Sequence, residues 1–126
     1  MLPNKGRILC IEPFSDICEL VCQLLRMRGY ESDSASTLAE AVRMAASGEY
    51  SLYILGGHYP DGTNAELAAR LRAATPTVPV IVFSAQVLKR DRGAAMAAGA
   101  SAFLTKPDGL AELPQTVERL LVPRKL

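Results

Sequence analysis

Tryptophan is missing from the 126 residues, histidine occurs once, cysteine three times, and charge of neither sign dominates. A net charge of +1 leaves no field to gather nucleic acid or anionic lipid from a distance. No Lys/Arg cluster interleaves with aromatic residues, so base stacking beside phosphate contacts has no platform. Cys10, Cys18 and Cys22 lack paired CxxC spacing and are expected as reduced thiols, Cys10 in a buried strand and the other two one helical turn apart. A metal clip at Cys18 and Cys22 finds no third or fourth ligand near it in the sequence. No stretch approaches the ~20 apolar residues of a membrane span. "MLPNKGRILCIEP" does not read as a signal peptide, since few apolar residues precede Glu12. The expectation is one cytoplasmic domain, residues 1–126, with a core large enough to stand without staples.

Apolar runs alternate with helical patterns along the whole chain. "RILCI" (7–11), "SLYIL" (51–55) and "VPVIVFS" (78–84) are continuous enough for strands buried on both faces. "YESDSA" (30–35) is polar and suits an edge, and "SAFLT" (101–105) is the fifth strand. Ile17, Leu20, Val21, Leu24 and Leu25 recur at helical spacing before Gly29. Thr37 and Glu40 form a capping-box pair for a helix that Gly48 closes. Asn64 is expected to cap a helix to about Ala74, and a small-residue helix spans roughly 88–98. In the last helix Pro114 lacks the N–H that would return to Leu110, so a start near Glu112 or Leu113, or a kink, is expected. Five strands alternating with five helices predict an α/β three-layer sandwich with a five-stranded parallel sheet. The flavodoxin-like strand order 2-1-3-4-5 puts the functional crevice between strands one and three.

At that crevice the third strand runs into "YILGGHYPDG" (53–62), where Gly56 ends the apolar run. "PVIVFSA" (79–85) is followed by "AAGASAFLTKP" (97–107). With "RILCIEP" and "SLYIL…YPDG" in the places of strands one and three, the chain resembles the receiver domain of two-component response regulators over nearly its full length.

The resemblance implies a pocket in which two acids after strand one hold Mg²⁺. It also implies an aspartate ending strand three that accepts a phosphoryl group, with a hydroxyl and a lysine contacting the phosphoryl oxygens. Ser84 matches the hydroxyl, Lys106 the lysine and Phe103 the aromatic that rotates on activation. Glu12 stands for the first acid, but Pro13 falls on the second and Gly56 on the acceptor. The expected site is therefore a degenerate phosphorylation pocket of Glu12, Pro13, Gly56, Ser84 and Lys106, with no catalytic residue, no resident cofactor and weak or absent Mg²⁺ binding. An ammonium aimed into this crevice needs a partner, and Glu12 is the expected one, across the gap at Gly56.

Asp61 reads as turn chemistry, His58 as a solvated loop residue and Asp16 as a first-turn helix charge. The resemblance also implies a cis peptide before Pro107 and a partner-binding face built from helix four, strand five and helix five. "KRDR" (89–92) opens helix four and reads as a solvated face, an acidic partner being the other reading. The function expected is a non-enzymatic signalling module working through protein contacts. The alternatives are a phosphorylatable receiver with an unusual acceptor and a flavodoxin-like domain that binds a small anion or ligand. No nucleophile–base pair and no phosphate-cradling glycine loop supports an enzyme.

Overall fold

In the computed structural model, residues 6–84, 89–106 and 109–121 are described. The elements run β1 (Arg7–Ile11), α1 (Ser15–Met27), β2 (Glu31–Ala35), α2 (Leu38–Ala45), β3 (Leu52–Gly56), β4 (His58–Tyr59) and β5 (Gly62–Thr63). They continue with α3 (Asn64–Ala74), β6 (Val80–Ser84), α4 (Lys89–Ala97), β7 (Ala102–Thr105) and α5 (Gly109–Leu121). The main sheet has the order β2-β1-β3-β6-β7, with every neighbouring pair parallel. It is the arrangement expected from sequence, β6 and β7 being the fourth and fifth strands anticipated there.

Because side chains alternate across a strand, the continuous apolar runs feed two cores at once. Leu9, Ile11, Tyr53, Leu55, Val80 and Val82 pack toward Leu38, Ala41 and Leu67 on one face. Ile8, Cys10, Leu52, Ile54, Ile81 and Phe83 pack toward Val21, Leu25, Leu113 and Val117 on the other. Each fully buried Leu or Ile contributes roughly 1.5–3 kcal/mol of transfer free energy, far more than any surface ion pair at the polar β2 edge. At that edge Arg7 reaches both Glu31 (2.7 Å) and Asp33 (3.0 Å). Burial, then the bond to Asp33, pushes the Tyr50 phenol up to about 12.

Helix ends depart from expectation in informative ways. Thr37 Oγ1 accepts from the Glu40 N–H at 3.1 Å, but the Glu40 carboxylate reaches back to the Ser36 N–H rather than to the cap residue's own. Thr63, not Asn64, caps α3: its extended backbone lets Oγ1 accept from the Glu66 N–H, while Asn64 is buried as the first helical residue. Helix α5 begins at Gly109, earlier than expected, with Pro114 inside it. Only the bond back to Leu110 is forfeited, and the burial of Leu113, Pro114 and Val117 holds the helix on the sheet despite it. At Gly93 in α4 an added Cβ would meet open space, so this glycine marks no close packing.

The segment after β3 is not a plain loop. His58–Tyr59 and Gly62–Thr63 pair as a short antiparallel ribbon, with His58 exposed. Asp61 at its tip does more than make a turn. Its carboxylate accepts from the Leu38 and Ala39 N–H groups at 2.9 and 3.0 Å, capping α2 from outside the helix. Those two backbone bonds, Ala39 foremost, hold the Asp61 carboxyl below its ordinary value. A depressed carboxyl stabilises the fold above its unfolded pKa of about 3.9, and the benefit fades as pH falls through the folded value. Asp61→Ala is therefore expected to lower the thermal midpoint at neutral pH. The gap to wild type should close in acid, and a pH-independent gap in circular-dichroism melts would contradict the capping role.

Candidate functional site

The carboxyl ends of the parallel strands bring together residues far apart in the chain. Glu12 directly follows β1, its N–H bonded to the Ala35 carbonyl at 3.0 Å, and its side chain is 3% exposed. Gly56 ends β3 opposite Phe83, and Ser84, fully buried, ends β6. Lys106 follows β7 and donates its backbone N–H to the Ser84 carbonyl at 2.9 Å. Glu12, Gly56 and Lys106 meet at this end of the sheet, and Ser84 is joined to Lys106 through its backbone carbonyl. Pro13 sits at the rim of this crevice, half-buried, and contributes no acidic group. Phe103 is half-buried on β7, packed on the core face shared with α2 and α3. Pro107 lies outside the described residues, as do the side chains of 89–91. Asp16 is exposed in the first turn of α1.

Lys106 Nζ donates to Glu12 Oε2 at 2.6 Å, and the lysine side chain is only 13% exposed. The ammonium also stands 5.4 Å from the centroid of the Phe83 ring, where the face of the π-system favours a cation. The other carboxylate oxygen, Oε1, accepts from the Phe14 N–H at 3.4 Å. Taking two charges out of water costs several kcal/mol per ion, so the pair persists by its short contact and these auxiliary partners.

The space above Gly56 is filled. A Cβ added there would overlap Glu12 Oε2 and lie 2.7 Å from Glu12 Cδ. The missing side chain at the end of β3 is what lets the longer Glu12 arm swing across to Lys106. Gly57 follows with φ +53°, a left-handed conformation that glycine adopts without strain. Sequence reading placed the lysine's partner correctly but treated the gap as open, because side-chain reach is not visible in a pattern of residue types.

Tyr59 was not singled out from sequence. Its hydroxyl donates to the Ile11 carbonyl at 3.1 Å, pinning the ribbon to the end of β1. Burial, with Glu12 next, pushes its phenol far above the ordinary range. The local signal that could have found it is an aromatic two residues beyond the Gly56-Gly57 pair. His58 is exposed on the ribbon and Asp61 is engaged with α2.

Comparison with known proteins places this geometry. The family model described as response regulator receiver domain matches residues 8–118. Transcriptional regulatory protein PrrA of Mycobacterium tuberculosis is 36% identical over 118 residues, covering 94% of this chain and 51% of the relative. The chain thus spans about half the length of the curated relatives it matches. A two-component response regulator from Clostridium difficile superposes with a TM-score of 0.87 at 27% identity, covering 92% of this chain and 95% of that one. The response regulator TrrA of Thermotoga maritima, solved in complex with Mg²⁺–BeF, gives a TM-score of 0.82 at 30% identity, covering 91% and 98%.

Two stability measurements test the site. Lys106→Met strands a buried carboxylate and is expected to cost about 3–5 kcal/mol, while Glu12→Gln combined with Lys106→Met costs much less. Additive losses in urea titrations of the four proteins would show that the two residues are not coupled. Gly56→Ala displaces the Glu12 carboxylate and is expected to cost about 1–3 kcal/mol, shrinking in a Glu12→Ala background. An equal cost in both backgrounds would place the conflict elsewhere.

Proposed function

Because this chain belongs to the response regulator receiver domains, we propose that it is a signalling module working through protein contacts without accepting a phosphoryl group. The observation carrying this reading is the occupation of the space above Gly56 by the Glu12 carboxylate, closed onto Lys106 at 2.6 Å. At the family's acceptor position, carried over from the resemblance, glycine offers no carboxylate to attack phosphorus. The lysine that would meet a phosphoryl oxygen is already neutralised. The Glu12–Lys106 pair supplies internally the charge balance that phosphate and metal would bring, and it holds the pocket in one state.

The residues present do not suit Mg²⁺. That hard ion needs several oxygen ligands in near-octahedral array. Here Glu12 Oε2 is committed to an ammonium, and neither Pro13 nor Gly56 offers a side-chain oxygen. The same commitment of Lys106 argues against an inorganic anion in the crevice. Asp61 and His58 are poor substitute acceptors: the first caps α2 and the second lies on the exposed ribbon.

Partner proteins would then read a permanently set surface, with the face of α4, β7 and α5 the candidate by family resemblance. Incubation with acetyl phosphate and Mg²⁺, followed by intact-mass measurement, is expected to leave the chain unmodified while an aspartate-bearing receiver gains a phosphoryl group. An acid-stable or acid-labile adduct on this chain would overturn the proposal in favour of an unusual acceptor.

A further inference from the structure

Three sulfurs meet on the opposite side of β1 from the α2–α3 core. Cys10 points from β1 toward α1, where Cys18 and Cys22 lie one turn apart, and the three Sγ atoms are all within 4.8 Å of one another. Sequence reading had only the helical pair. The third member comes from combining the two-residue period of the strand with the helix period. All three are free thiols, between 2% and 6% exposed.

A second observation points the same way. Ser32 Oγ, on β2, is buried and has no hydrogen-bond partner; among the described residues no other buried side-chain oxygen or nitrogen is so placed. Its residue is 7% exposed, and the hydroxyl stands beside the Cys22 thiol. A hydroxyl so placed is a polar neighbour for the Cys22 sulfur and favours its charged, metal-binding form. Solvent reaches the cluster's edge: a cleft of about 420 Å³ is walled by Cys18 and Cys22 together with Glu12, Glu19 and Arg26.

From this geometry we propose that Cys10, Cys18 and Cys22 form a three-sulfur binding site for Cu⁺. At metal–sulfur distances of about 2.3 Å, three sulfurs around one ion stand ~4 Å apart, close to the 4.8 Å that bounds the separations here. Soft thiolates select soft cations, and Cu⁺ is satisfied by three sulfurs. Structural Zn²⁺ almost always takes four protein ligands, and the buried carboxylate of the adjoining cleft, Glu12, is held by Lys106. Thiol protons leave as the ion enters. Arg26, whose guanidinium reaches the Ser32 carbonyl at 3.5 Å and which acts electrostatically on Cys22, offsets the negative charge left on the sulfurs. The site adjoins Glu12, two residues beyond Cys10, so an ion here gives the domain a chemical input that needs no phosphoryl group. The site stands or falls independently of the acceptor's absence.

The test is anaerobic titration of the reduced chain with Cu⁺ against a chromophoric Cu⁺ chelator, with X-ray absorption on the product. One copper per chain with three sulfur neighbours is expected, and Cys10→Ser should weaken binding by more than about tenfold. Should Cys10→Ser fail to fold, the sulfur count on the wild-type chain decides. Two sulfur neighbours, retention of Zn²⁺ but not Cu⁺, or copper affinity unchanged in a folded Cys10→Ser variant would each overturn the assignment.

Discussion

A buried carboxylate and a half-buried ammonium, contributed by residues 94 positions apart, organise the functional end of this domain. Glu12 extends from the end of β1 and Lys106 from the end of β7, so their bond spans the tops of β3 and β6 between them. Neither charge is tolerable alone at this depth. Their coexistence depends on a third position, Gly56, whose lack of a side chain supplies the path between them. Three residues thus form one unit, and the character of the pocket cannot be assigned to any one of them.

The surroundings of that unit are fastened with similar economy. Tyr59 ties the short ribbon after β3 to the last carbonyl of β1, and Asp61 ties its tip to the start of α2. The segment that leads away from Gly56 is therefore braced against two neighbouring elements. What holds the Glu12 carboxylate inward is its own bonding, Oε2 to the Lys106 ammonium and Oε1 to the Phe14 N–H.

Much of the fold was legible because buried parallel strands are continuous apolar runs, and right-handed crossovers leave few orders in which to lay them. Thr37 and Glu40 announced α2 through local chemistry that operates within four residues. What escaped was short or distant. Two-residue strands such as His58–Tyr59 carry too little pattern to register. Asp61 caps a helix that begins 23 residues earlier in the chain, and no local rule reaches so far. Thr63 displaced Asn64 as a cap because both residue types serve and only backbone dihedrals choose between them. Pro114 suggested a late helix start, yet tertiary burial of its neighbours outweighed one forfeited hydrogen bond. In the site, the pairing of Lys106 with Glu12 followed from the strand order and the family resemblance, which set both at one crevice, together with the need of a buried charge for a partner. The occupation of the space over Gly56 required atomic positions.

The interlock above Gly56 also bears on how such a domain changes over generations. An aspartate arriving at 56 by itself would be born into occupied space and would set two carboxylates against one lysine. Shortening Glu12 first would strand the lysine instead. Either first step passes through a less stable protein, so positions 12, 56 and 106 are expected to change together or not at all.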